Sequence, residues 1–408
     1  MRVMQINAVY GFGSTGVIVK DLYDISRKNE IYSIVACQVA STINNDIYLI
    51  GNKIDWKLHA LFTRLSGKQA YASSFATIKL LNYLDKEKPD IVHLHNLHAN
   101  YVNLNMLLKY LAKKNIAVVI TLHDCWFFTG KCFHFVSCGC EKWKTGCGKC
   151  PQNKKNVKSL FFDRTSSVFE DKKKYFQAIP NLTVVGCSDW IKGLAEQSPI
   201  FQGKYITRIY NGVDTSIFYP RQQTIFRRVN QLDDKFVILG MANKWMKSEN
   251  AELVRKLFDN LKEDEQIVIV GCSEQQKIEL KKYQRVSAVG FIKDRDILAD
   301  IYSASDVFVN MTYEDTLPTV NMEAICCGTP VITFNSCGSP ELVHEGVTGY
   351  VISQGSQPEL FNALYKIKAH LIDRENCAEE GKKWFDKNQQ YKEYIKLYCA
   401  IENRGKLP

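Results

Sequence analysis

The chain has 408 residues, 46% of them apolar and 24% charged. That balance excludes a disordered, collagen-like or coiled-coil architecture and, at about 150 residues per domain, predicts two domains. The net charge of +10 is uneven: residues 1–210 hold 28 Lys+Arg against 15 Asp+Glu, and the remainder 25 against 28. A basic half suggests an anionic partner, a phosphate-bearing ligand, nucleic acid or a membrane surface. No apolar run is long enough to cross a bilayer, and glycines follow the brief first run where a cleavage site would be expected. The expected compartment is therefore the cytoplasm.

In chain order, short apolar runs at 3–7, 33–37, 91–95, 117–122 and 182–187 read as strands of a first half. Runs at 236–241, 266–270, 286–289, 307–309 and 331–334 read as those of a second. Most are continuous and lack period-2 alternation, the pattern of strands buried on both faces. Helical-period segments separate them, so the expected fold is α/β with two doubly wound, Rossmann-like domains facing across a cleft. The expected domains are residues 1–212, with a cysteine-rich insert at 125–151, and residues 213–383. A last helix over 384–408 is expected to pack back on the first domain.

Gly11-Phe-Gly13-Ser14-Thr15-Gly16 follows the first strand and opens a helix. Such a loop bares backbone N–H groups at a helix N-terminus and suits a phosphate. A dinucleotide site also wants an acid at the end of strand two; here none occurs before Asp46, which disfavours NAD. Asp315 and Glu323 stand eight positions apart across a Leu317-Pro318 turn. Free N–H groups near Thr319 and Val320 suit a phosphate, and Glu323 suits sugar hydroxyls.

Together with Arg208-Ile-Tyr-Asn-Gly-Val-Asp214, Gly338-Ser-Pro-Glu341, Asp90-Ile-Val-His-Leu-His95-Asn, Thr121-Leu-His123-Asp124-Cys-Trp126 and Gly346-Val-Thr-Gly349, these segments resemble the family-4 glycosyltransferases of the GT-B fold. The likeness spans almost the whole chain and is greatest to the branch found in bacterial capsule and exopolysaccharide clusters. It implies a retaining, metal-independent hexosyltransferase that takes a nucleotide diphosphate sugar as donor. The acceptor it implies is a glycan, in particular a lipid-linked capsule or exopolysaccharide intermediate. In that resemblance Glu323 binds the donor ribose, Asp315 lies near the donor sugar, His123 faces the transferred sugar with Asp124 beside it, and Gly13–Gly16 lies near the donor phosphates. Asp315 departs from the usual Glu. Glu249 and Asn250 stand where the family carries Lys-Gly, so Lys244 and Lys247 are expected to supply the charge from shifted positions, with Asn243 a further donor-binding residue. Two rivals are a catalytically weak sugar-nucleotide-binding or partner subunit and an NAD-dependent oxidoreductase; nucleic acid is not an expected partner.

Three further segments carry their own expectations. Asp294-Arg-Asp296 spells D-x-D but precedes a helix, where N-capping is its job. Cys132, Cys140, Cys147 and Cys150 leave two readings open, a structural zinc or reduced, packed thiols. Residues 55–68 mix Trp56, Leu58, Leu61, Phe62 and Leu65 with Lys57, Arg64 and Lys68. That helix is expected to pack its apolar face on its own domain, with only weak contact between the basic half and an anionic membrane.

Overall fold

The computed structural model describes residues 1–404 apart from 156 and 223. The chain divides into two compact units, one comprising Met1–Asn211 and the chain from Asn388 onward, the other Gly212–Lys387.

The first unit is built on seven parallel strands, β1 (Arg2–Tyr10), β2 (Tyr32–Ala40), β3 (Ile47–Leu49), β4 (Ile91–Leu94), β5 (Ala117–Leu122), β6 (Leu182–Gly186) and β7 (Tyr205–Arg208). Their order is β3-β2-β1-β4-β5-β6-β7. Helices α1 (Gly13–Lys28), α2 (Lys53–Ser66), α3 (Ser74–Glu87), α4 (Leu104–Lys114), α5 (Thr165–Gln177) and α6 (Asp189–Gln197) connect them. The register pairs Val3 of β1 with Ile91 of β4, and Ile91 with Ala117 of β5, stacking the central apolar runs side by side.

The second unit carries β8 (Phe236–Met241), β9 (Glu265–Val270), β10 (Val286–Val289), β11 (Val307–Asn310), β12 (Val331–Phe334) and β13 (Gly349–Ile352), in the order β10-β9-β8-β11-β12-β13, again parallel. Its helices are α7 (Ile225–Val229), α8 (Ala242–Trp245), α9 (Ala251–Asp259), α10 (Glu274–Leu280), α11 (Arg295–Ala304), α12 (Thr319–Cys326), α13 (Gln357–Lys368) and α14 (Arg374–Phe385). In each sheet the strand order reverses once beside the first strand, between β1 and β4 and between β8 and β11. Loops leaving the carboxyl ends of strands at such a reversal diverge and open a crevice where ligands bind.

The expected terminal helix is two helices that break at Asp386: α14 ends the second unit, and α15 (Lys387–Arg404) returns to the first. Tyr391, Tyr394 and Tyr398 of α15 are fully buried among Val3, Ile18, Leu22, Ile91, Val119 and Val185, which come from five different elements. Rings of this size are among the largest apolar contributors to a core.

Three strands escaped the sequence reading, β3, β7 and β13, and all lie at sheet edges. An edge strand has one covered flank and is short or polar, so it leaves no continuous apolar run. The expectation for α2 is corrected. The helix is docked, but by its polar side: it buries His59 and Thr63, while Ile54, Leu58, Leu61, Phe62 and Leu65 face outward. Hydrogen bonds hold that face down, from His59 Nδ1 to Ser73 Oγ (2.8 Å), Thr63 Oγ1 to Asn100 Oδ1 (2.9 Å) and Trp56 Nε1 to Ile50 O (3.0 Å).

Candidate functional site

In the first unit the loop after β1 folds back on itself, Gly11 N–H donating to Gly16 O at 2.8 Å. Gly16 has no room for a side chain, since a Cβ would stand 3.0 Å from Val9 Cγ2, whereas Gly13 at φ +64° faces open space. Helix α1 starts at Gly13 with no side-chain cap and no acid in its first turn. Its first N–H groups therefore keep their positive end available to an anion. Asp46, the nearest acid after strand two, accepts from the Tyr23 hydroxyl at 2.8 Å.

His123 stands at the carboxyl end of β5, and its ring lies against His95. Three buried groups behind it fix which nitrogen carries its proton. Gln5 Nε2 donates to Val19 O (3.4 Å), turning its Oε1 to His95 Nε2 (3.2 Å). The reverse amide orientation would set two oxygens against each other, so the network decides the assignment. Because that oxygen only accepts, His95 holds its proton on Nε2 and offers a bare Nδ1. His123 Nε2, 3.0 Å away, is then the donor, and Nδ1 of His123 is left unprotonated. Burial keeps these rings neutral: it holds His123 down at about 4 and His95 well below the usual imidazole range. Behind them His93 bonds Tyr398 Oη (2.6 Å) and Thr121 Oγ1 (2.7 Å), and Thr121 bonds Tyr394 Oη (2.8 Å), which ties the cluster to α15.

Asp124 makes its hydrogen bonds elsewhere than to His123. It meets His98 Nε2 at 2.9 Å and accepts from the Trp126 amide at 2.8 Å. Burial pushes its carboxyl up, but His98 and these hydrogen bonds prevail and hold it below its ordinary range. Nor did the sequence single out Lys172, fully buried in α5, where the run Lys172–Lys174 looks like a solvated face. Its Nζ bonds Trp126 O and, at 2.9 Å, Thr129 O, and lies 3.5 Å over the Trp126 ring. Burial lowers it to about 7.

The cysteine-rich insert follows. Cys132, Cys140, Cys147 and Cys150 line one cavity of about 20 Å³. The sulfurs of Cys132 and Cys150 are 4.0 Å apart, and Gly130 N–H donates to Cys147 Sγ at 3.1 Å. Among the described residues no three His, Cys, Asp or Glu side chains form a group that could hold a metal.

In the second unit the strands on either side of the reversal deliver the acids and the lysine. β8 ends in α8, whose Lys244 reaches Thr312 Oγ1 (2.8 Å) and Asp315 Oδ2 (3.4 Å) in the segment after β11. Trp245 packs beneath: its ring occupies the space where a Gly240 Cβ would sit, and its Nε1 bonds Val309 O. Asn250 is buried and donates to Lys244 O (2.9 Å) and Met311 O (2.7 Å), so it splices the two loops. Lys247 instead pairs with Glu249 at 3.7 Å, both half-exposed, and Asn243 is exposed. The structure thus brings Lys244 to Asp315 and turns Lys247 toward Glu249.

Pro318 precedes α12, which begins at Thr319 without a side-chain cap or an acid in its first turn. Leu317 is buried and Asp315 Oδ1 receives its N–H at 3.3 Å, holding the turn in shape. Asn310 donates to Asn321 Oδ1 (2.7 Å) and locks α12 to β11. On the same helix Glu323 accepts from Tyr302 Oη at 3.3 Å. Burial raises its carboxyl to about 7 against the pull of Arg295. A carboxyl beside uncapped helix N–H groups can take up vicinal hydroxyls and a phosphate at once. Asp294 caps α11 by accepting from Asp296 and Ile297 N–H, the capping role expected of it.

Two family models match the chain, Glycosyltransferase Family 4 over residues 52–217 and Glycosyl transferases group 1 over 222–384. Among curated relatives, the putative colanic acid biosynthesis glycosyl transferase WcaC of Escherichia coli is 26% identical over 336 residues, covering 76% of each chain. An uncharacterized 41.2 kDa protein in the cps region of Klebsiella pneumoniae is 21% identical over 94% of this chain and 96% of its own. The fold is similar to that of sucrose-phosphate synthase from Thermosynechococcus elongatus, with a TM-score of 0.68, 17% identity and 98% of each chain covered. It is also similar to that of Anabaena HepE in complex with UDP, at a TM-score of 0.64 and 15% identity over 98% of this chain and 100% of that one. Two parallel-sheet units with loops gathered at their strand reversals, matched by these models in order, place the chain in one family: it belongs to the family-4 glycosyltransferases of the GT-B fold.

Proposed function

We propose that this glycosyltransferase moves one hexose from a nucleoside diphosphate sugar, with retention of anomeric configuration and without a catalytic metal, to a glycan acceptor carried on lipid. The observation that carries the reading is the arrangement around α12: Asp315 held by Lys244, uncapped N–H groups at Thr319 and Val320, and Glu323 half-buried on the same helix. Glu323 would take the ribose hydroxyls, the α12 N-terminus and Lys244 the diphosphate, and Asp315 the sugar. Support for uridine as the base is the solved likeness of HepE, described with UDP and with UDP-glucose.

The leaving phosphate oxygen accepts the proton of the acceptor hydroxyl as that oxygen attacks the anomeric carbon from the face the phosphate leaves. This chain's part is positioning, with positive groups aimed at the charge that develops on the diphosphate. Lys244 is the cation placed for that task, and in the first unit His123 offers a bare Nδ1 to a sugar hydroxyl. The Lys247–Glu249 pair favours a second reading, in which the chain binds donor but turns over slowly. Thermal unfolding with UDP, GDP, ADP, dTDP and NAD, each with and without EDTA, tests the proposal. A ligand at a hundredfold excess over its Kd stabilises by about 2.7 kcal/mol. One nucleoside diphosphate should shift the transition with or without chelator; a shift with NAD alone would overturn the reading. Sugar-nucleotide hydrolysis without acceptor separates an active enzyme from a binding subunit.

A further inference from the structure

No described helix is long and apolar enough to cross a membrane, yet the first unit exposes a large apolar face. Along α2, Ile54, Leu58, Leu61, Phe62 and Leu65 follow the spacing i, i+4, i+7, i+8, i+11 and are 69, 60, 53, 40 and 42% exposed. An ordinary surface helix turns such a stripe inward; α2 instead docks through His59 and Thr63. The face continues past the helix end. Leu160 N–H donates to Arg64 O at 2.8 Å and fixes the next segment against the last turn, where Phe161 and Phe162 are 70 and 49% exposed. At the other end a Cβ on Gly51 would stand 3.3 Å from Ala76 Cβ, so the start of α3 lies beside the first turn of α2, and its Phe75 is 67% exposed.

Scattered apolar side chains are normal on a protein surface, but a contiguous face of this kind marks an interaction site. Its charge says which. Residues 53–68 carry Lys53, Lys57, Arg64 and Lys68 against one acid, Asp55, which is engaged in capping α2. Residues 154–164 add Lys154, Lys155, Lys158 and Arg164 against Asp163 alone. Among the described residues none of these eight cations is in an ion pair. Apolar side chains interleaved with unpaired lysines and arginines complement an anionic lipid surface: headgroup phosphates take the cations while Leu and Phe enter the acyl boundary.

We infer that α2, the start of α3 and residues 160–162 form a docking face for an anionic membrane. The inference deepens the reading of a lipid-carried acceptor and rests on it, because a docked first unit meets its acceptor at the bilayer. The experiment is flotation of the full chain with phosphatidylcholine vesicles with and without phosphatidylglycerol, at low and high salt. Binding should be at least about tenfold stronger to the anionic vesicles and weaken with salt. The variant Leu58→Gln/Leu61→Gln/Phe62→Gln, altered only at exposed positions, should lose at least about tenfold. Lys57→Glu/Arg64→Glu should lose the preference for anionic lipid. Equal binding to both vesicles, or unchanged binding by the triple variant, overturns the inference. So does a self-associated wild-type chain that ignores vesicles and is dissociated by the triple substitution, since the occupant would then be a second copy. The UDP-induced thermal shift measured on the same preparations tells the two readings apart. Vesicle binding lost with the shift intact sinks the docking face alone; a missing shift with docking intact sinks the donor assignment alone.

Discussion

Replacing Gln5 by Met tests whether a residue buried behind the candidate site sets the chemistry His123 presents. Gln5 Oε1 accepts from His95 Nε2 at 3.2 Å, and His95 Nδ1 accepts from His123 Nε2 at 3.0 Å. Each is a neutral hydrogen bond inside the protein, worth about 1 kcal/mol net, and reversing both tautomers forfeits both. The native arrangement is therefore favoured by about 2 kcal/mol, roughly 30-fold, and leaves only about 3% of His123 with its proton on Nδ1. Methionine fills similar space but accepts weakly, so it removes the first bond while leaving the His95–His123 contact free to run in either direction. The Nδ1–H form of His123 should then rise several-fold, and its lone pair is replaced by a donor wherever that form exists. Long-range proton–nitrogen correlation spectra of histidine-labelled protein near pH 7, where burial keeps both rings neutral, report the tautomers directly. Wild type should show His123 bare at Nδ1, and Gln5→Met should show a mixture. With donor sugar the variant should lose kcat more than it loses nucleotide affinity, and Gln5→Glu, which keeps the acceptor, should restore the native tautomer. A protonated Nδ1 in wild type, or an unchanged tautomer in Gln5→Met, refutes the reasoning.

Glu323→Ala should abolish the stabilisation by nucleoside diphosphate while the apo transition stays cooperative; unchanged affinity by calorimetry would refute the ribose role. The same carboxyl, raised to about 7 by burial, accepts ribose hydroxyls best when ionised. Donor affinity should therefore rise as pH increases through 7 and binding should release protons, and a flat pH profile would count against it. Lys244→Ala should lower kcat by about a hundredfold, since it removes the charge facing the leaving diphosphate, whereas Lys247→Ala, already paired with Glu249, should cost less than about threefold; steady-state kinetics decides. One equivalent of zinc per chain, by elemental analysis of protein purified without added metal, is what the four-thiol reading requires. Without it the reduced-thiol reading stands, in which Cys150, lowered by its contact with Cys132, is alkylated first.

The central strands were legible because burial on both faces demands unbroken apolar runs, and the loops at both reversals carry the motif residues that the sequence pointed to. What the sequence hid follows from features that leave no periodic signal. Edge strands β3, β7 and β13 need only one covered flank. Helix α2 has an ordinary amphipathic pattern, and only the bonds from His59, Thr63 and Trp56 tell which side faces in. Lys172 looked solvated because its two carbonyl partners, Trp126 and Thr129, lie more than forty positions upstream. His95 was visible only as part of a motif, since its partners Gln5 and His123 come from β1 and from the end of β5. The Asp124–His98 pair was equally non-local and turned an expected partner of His123 into a brace for the Trp126 turn.

The return of α15 to the first unit also dictates an order of assembly. Tyr394 and Tyr398 complete the hydrogen bonds of Thr121 and His93, yet they are separated from them by 273 and 305 positions. On the ribosome, the first unit would wait with its core open and β1, β4 and β5 lacking their cover while the whole second unit is made. The second unit, Gly212–Lys387, is by contrast contiguous in sequence. Folding should thus finish in the half that was synthesised first, with closure of that half timed by the emergence of α15.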